Sequence, residues 1–149
     1  MLQKGRVDIK NNIEDRVGNM YNDKLRNMNI KYFKLSEFDS PDEIGSGNNM
    51  CLIFLNKLDK ARELAGIPFK INSGYRTPKH NAKIGGVKGS AHTNIPCNAA
   101  DINVVGTAGR FKIINAALKV GFNRIGIGKT FIHLDTDLKK SQNIIWHYY

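Results

Sequence analysis

Apolar and polar positions change their period several times along this chain. From Asn49 to Ala65, the residues Met50, Ile53, Phe54, Leu58, Ala61, Leu64 and Ala65 recur at the three- and four-residue spacing that lines one side of a helix, and Gly66 with Pro68 beyond it predicts the end. Phe69-Lys-Ile-Asn-Ser-Gly74 reads as a short strand running into a glycine turn, and Ile84-Gly-Gly-Val-Lys-Gly89 as a second glycine-rich loop. Ala99 to Val105 predicts a buried strand, Arg110 to Val120 a helix stopped by Gly121, and Thr130-Phe-Ile-His-Leu-Asp135 another strand, before a short closing segment with Trp146 and two tyrosines. This order predicts an α+β domain with a small, mostly antiparallel sheet and flanking helices. Residues 1–30 are polar and Asn-rich, with only a weak helical pattern from Ile13 to Leu25. They predict an arm or linker ahead of a domain spanning 31–149.

A chain of 149 residues suits one such domain, and 41% hydrophobic against 24% charged residues excludes a disordered chain. The longest apolar run, Met50 to Leu55, is too short to span a bilayer, and MLQKGRVDIKNNIEDR has no apolar signal region. The expectation is therefore no membrane span and no signal peptide. Charge is unevenly placed: residues 1–43 hold eight basic and eight acidic side chains, residues 44–149 fifteen and five. The basic C-terminal part suits a polyanionic partner, whether nucleic acid, anionic lipid or the phosphate-rich polymers of a bacterial wall. Nucleic acid ranks last, because the aromatic residues are scattered rather than grouped into a stacking platform.

Three of the five carboxylates in that basic part, Asp101, Asp135 and Asp137, fall in short segments that also contain histidine. His92 lies on a loop and Asp101 on the following predicted strand. His133 and Asp135 share one face of another strand, with Ile132 and Leu134 on the opposite face. Two imidazoles and a carboxylate make a zinc set, and three protein ligands leave a fourth position open, which marks a catalytic rather than a structural site. His80 and His147 have no such partners and read as surface or packing residues. Cys51 and Cys97 do not make a disulfide framework. Cys97 falls among the candidate ligands, so a thiolate is an alternative there, but no activating partner is identifiable.

Five segments together resemble a known family. Phe33-Lys-Leu-Ser-Glu-Phe38, Ile71-Asn-Ser-Gly-Tyr-Arg-Thr77, Gly85-Gly-Val-Lys-Gly-Ser-Ala-His92, Ala99-Ala-Asp-Ile102 and Phe131-Ile-His-Leu-Asp135 stand in the order seen in the zinc D-Ala-D-Ala carboxypeptidase family of peptidoglycan peptidases, which includes phage endolysins. The resemblance covers about residues 31 to 149 and implies a hedgehog/D-Ala-D-Ala peptidase-like fold. It also implies Zn2+ held by His92, Asp101 and His133, and substrate contacts from Arg76 and Ser90. A guanidinium fork at Arg76 suits a peptide carboxylate or carbonyl. Asp135 is the choice for moving the proton, with Asp137 in reserve and an orienting role for Asp135 as the alternative.

Two features depart from the family pattern. Thr93 to Ala100 separate His92 from Asp101 by two residues more than usual, and Thr130 stands three residues before His133, where some relatives have an acid. The implied activity is zinc-dependent hydrolysis of a bond involving a D-amino acid in peptidoglycan stem peptides, as carboxypeptidase or endopeptidase. Anionic wall polymers are further partners. The competing reading is an inactive, zinc-containing wall-binding module of the same fold, which Thr130 favours. An enzyme of this kind without a signal peptide reaches the wall as a phage product, by another export route, or on lysis.

Overall fold

The computed structural model describes residues 29–149, so the arm expected over residues 1–30 lies outside them but for its last two residues. Eight elements follow in order: α1 (Leu52–Ala65), β1 (Ile71–Ser73), α2 (Pro78–Lys83), β2 (Ala99–Asn103), α3 (Thr107–Lys119), β3 (Arg124–Ile127), β4 (Phe131–Asp135) and β5 (Ile144–His147). Short 3-10 turns occupy Leu35–Phe38, Ser46–Asn49 and Ala91–Thr93. The five strands form one sheet in the order β1-β2-β4-β3-β5, antiparallel except for β5 beside β3, which is the α+β architecture expected. Among the described residues, no helix is long and apolar enough to cross a membrane.

The periodic segments form elements close to where their pattern places them. Three elements have weaker patterns. The short helix α2 rests on Thr77, whose side-chain oxygen accepts the His80 backbone N–H at 3.0 Å, and on Pro78 in the first turn, where a missing N–H does no harm. β3 spans four residues interrupted by Gly126. β5 is a largely exposed edge strand, so neither shows a strong alternation of polar and apolar positions.

Alternation along the central strands splits the sheet into two chemically different faces. Ile102, Ile125, Ile132 and Leu134 are fully buried and meet Phe54, Leu58, Ile113 and Ala117 of α1 and α3 in one core. Burying each such side chain contributes about 1.5–3 kcal/mol. The opposite face carries a row of residues in register across the whole sheet: Ser73, Asp101, His133, Gly126 and Trp146. One face thus supplies the hydrophobic stabilisation and leaves the other available for chemistry.

The first turn region supports this second face. Phe38 is fully buried against Gly74, where an added Cβ would lie 2.5 Å from Phe38 Cβ and 2.6 Å from its Cα. The Tyr75 backbone N–H also donates to Phe38 O at 3.0 Å. Gly74→Ala is therefore expected to force the backbone apart and lower the unfolding free energy by about 1–3 kcal/mol, as overpacking does. Chemical denaturation of the two proteins checks this, and an unchanged midpoint would contradict the contact.

Candidate metal centre

The register of β2 against β4 pairs Asp101 directly with His133. His92 enters from the 3-10 turn Ala91–Thr93, whose start is capped by Ser90 Oγ accepting the His92 backbone N–H at 3.3 Å. The loop after β1 clasps His92 twice: the Arg76 backbone N–H donates to His92 O at 2.8 Å, and His92 Nδ1 lies 2.6 Å from Gly74 O. The longer connection from His92 to Asp101 is braced elsewhere, with Cys97 N donating to Asn49 O and Cys51 N to Cys97 O, both at 2.7 Å. The two extra residues therefore do not separate the pair. His92 Nε2 lies 3.2 Å from Asp101 Oδ1 and 3.2 Å from His133 Nδ1, and His133 Nδ1 lies 2.8 Å from Asp101 Oδ1.

The second atom of each group is already occupied, and this sets the orientation of the first. A carbonyl only accepts, so the proton of His92 sits on Nδ1 facing Gly74 O, and its Nε2 lone pair faces the cluster. His133 Nε2 donates to Asp135 Oδ2 at 2.7 Å, so in the neutral ring the Nδ1 lone pair faces the cluster. Asp101 Oδ2 accepts from Arg76 Nη2 at 2.8 Å, leaving Oδ1 inward. Three lone pairs thus converge, and these three residues could hold a metal ion. Tetrahedral zinc places such atoms about 3.3 Å apart, so the donor set fits that ion after opening by a few tenths of an ångström.

All three residues are buried, with His92 2%, His133 6% and Asp101 7% exposed. Burial disfavours a charged His92 and, together with His133 and Arg76, holds its pKa below the ordinary 6.5 despite Asp101. Burial acts the same way on His133, but its hydrogen bonds with Asp101 and Asp135 outweigh it and raise the pKa. The carboxyl of Asp101 resists burial through His92 and His133 and stays well below the usual carboxylate range. Without a metal, His133 therefore holds its second proton more readily than a free imidazole, between the carboxylates of Asp101 and Asp135.

The cluster floors a cleft of about 550 Å³ that Arg76, Ser90 and Asp135 also line. Asp135 is 1% exposed; its Oδ1 accepts from Arg124 Nε at 2.6 Å and from the Asp137 backbone N–H at 3.0 Å. Arg76 is held by Ser73 Oγ at 2.7 Å and Asn81 Oδ1 at 3.4 Å as well as by Asp101. Asp137 lines a separate cleft of about 520 Å³ beside Asn94 and Pro96, and Thr130 is exposed and lines neither. His80 and His147 stand apart from the cluster. Cys97 is fully buried, and burial pushes its thiol up to about 12, so it remains a protonated packing residue.

Several residues of the site carry no sequence motif. Arg124 alternates with Ile125 and Ile127, a weak strand signal that could have marked it as a polar residue on a buried strand. Trp146 and Tyr148 come from the chain end. Their ring centroids lie 5.6 and 6.5 Å from that of His133, and Arg124 Cζ stacks 5.1 Å from the Trp146 ring. Gly126 makes this arrangement feasible, since a Cβ there would lie 2.7 Å from Tyr148 Cε2 and 2.9 Å from Trp146.

The sequence matches the family model described as Peptidase M15 over residues 31–135, more than half of the chain. The match stops at the end of β4, short of the expected extent to residue 149, and leaves β5 outside it. No curated protein matches the chain.

Because the folded pKa of His133 is raised above the unfolded value near 6.5, its carboxylate contacts stabilise the metal-free protein fully below that value. This stabilisation is lost as pH rises through the folded pKa. A metal must displace the Nδ1 proton. The gain in melting temperature on adding zinc is therefore expected to grow as pH rises toward the raised pKa and to level off past it. Thermal scans of chelated and zinc-loaded protein across pH check this, and a pH-independent gain would contradict the raised pKa of His133.

Proposed function

The chain belongs to the peptidase M15 family, and on that premise we propose that it is a zinc-dependent peptidase hydrolysing a bond that involves a D-amino acid in bacterial peptidoglycan. The observation that carries the reading is the convergence of three oriented lone pairs, from His92 Nε2, Asp101 Oδ1 and His133 Nδ1, at the floor of an open cleft. Zinc in that position supplies Lewis acidity to the scissile carbonyl and lowers the pKa of water.

The remaining roles belong to the chain itself. Arg76 spends three of its five N–H donors on Ser73, Asp101 and Asn81, which leaves two for a peptide carbonyl or carboxylate. The Ser90 hydroxyl oxygen accepts from His92, so its proton is available to a substrate in the cleft. Asp135 either moves the proton or orients His133. That its two oxygens already accept from Arg124, Asp137 and His133 supports the orienting role. The basic surface would concentrate the enzyme on anionic wall polymers, and we place its action at the cell wall, reached as a phage lysin, on lysis or by an export route of its own.

Metal analysis of the purified protein beside His92→Ala, with both assayed for soluble fragments from purified wall, tests the reading. One zinc per chain with release lost in the variant is the expected result. Stoichiometric zinc without release from several wall types would favour the wall-binding module instead, and absence of zinc would overturn the proposal. Asp135→Asn is expected to bind zinc about 10–100-fold more weakly if it orients His133, measured by competition with a chromogenic chelator.

A further inference from the structure

The cleft has two unlike ends. Along β4, Phe131, His133 and Asp135 face it in succession, about 6.5 Å from one to the next. Beside Phe131 lies the ring of Tyr148, with centroids 5.3 Å apart, which makes this end aromatic. Beside Asp135 lies Arg124, whose Nη1 donates to Ser141 O and so brings the backbone of residues 140 and 141 to the opposite end. Lys140 lines the cleft there and is half-buried.

Three Lys and Arg side chains line this cleft, and two of them are already charge-paired. Arg76 is paired with Asp101 at 2.8 Å, and Arg124 with Asp135 at 2.6 Å. Among the described residues, Lys140 has no carboxylate within ion-pair distance. Its backbone is nonetheless held: Gln142 Nε2 donates to Lys140 O at 2.7 Å and to Asp137 O at 2.9 Å, and Asp137 Oδ1 accepts the Lys139 backbone N–H at 3.0 Å. The turn is ordered around a lysine whose charge is met by no carboxylate among the described residues.

We propose that Lys140 is the anchor of a carboxylate subsite, which takes the free carboxylate of a peptide whose neighbouring amide bond lies over His92, Asp101 and His133. The inference rests on the peptidase reading above and deepens it: Lys140 lines the same cleft as the three ligand residues, on the side of Asp135 and Arg124, and Asp135 is itself one strand step of about 6.5 Å from His133. The aromatic end, formed by Phe131 and Tyr148, would take the apolar side of the substrate.

Trp146 is the sole tryptophan of the chain and lines the same cleft, so its fluorescence reports occupancy. The test is stopped-flow titration of the zinc-loaded protein with N-acetyl-D-alanyl-D-alanine and with its C-terminal amide, while amine release is followed in parallel. The free acid is expected to bind about tenfold tighter or more, the gain typical of a charged hydrogen bond. The ratio should fall to near one in Lys140→Ala, persist in Lys140→Arg, and persist in Lys139→Ala, which removes the same charge next door. A ratio unchanged in Lys140→Ala, an equal fall in Lys139→Ala, or no fluorescence response to either peptide would overturn the subsite. Failure of the peptidase reading would look different, as a preserved binding ratio without amine release.

Discussion

The antiparallel pairing of β2 with β4 is the constraint on which the rest of the site depends. It sets Asp101 opposite His133 and, through the same alternation, turns Ile102, Ile132 and Leu134 into the core. Slippage by one residue would exchange the two faces, burying the charged row beneath the helices and exposing the isoleucines. Hydrophobic burial on one face therefore maintains the ligand geometry on the other, and the two cannot be separated by any local change in that ladder.

Around this pairing, polar groups are matched in a chain that runs from Ser73 through Arg76, Asp101, His133 and Asp135 to Arg124. Its two guanidiniums and two carboxylates cancel when both histidines are neutral. The described residues include no buried side-chain polar atom without a hydrogen-bond partner, so the desolvation of each charge is offset by a partner in place. A divalent cation added to a balanced network leaves it positive, and Lys140 adds to that. The overall basic composition alone would not reveal where in the cleft that positive charge sits.

Much of this was legible in the chain because the period of apolar residues is a local property. The helices around Leu58 and Ile113, the strands through Ile102 and Ile132, and the alternation of His133 and Asp135 with Ile132 and Leu134 all follow from it. β3 and β5 were not legible for the complementary reason. Arg124-Ile-Gly-Ile is too short and Ile144 to His147 too exposed for alternation to stand out, and their strand character comes from pairing with residues distant in sequence. The helix from Pro78 to Lys83 did carry a signal, a Thr-Pro start, though not an apolar stripe.

What the sequence by itself determined is the α+β class and the segments that form its main elements, since these depend on residue type and on spacing within a few positions; it offered His92, Asp101 and His133 as candidate ligands through residue type and the resemblance of five ordered segments. What only the tertiary structure decided is which nitrogen of each histidine faces the cluster, which arginines are already committed, and that Trp146, Tyr148 and Lys140 from the last ten residues complete the cleft. Those features arise from hydrogen bonds and contacts between strands far apart in the chain. No local pattern encodes them, because each partner acquires its role only when the sheet brings the other beside it.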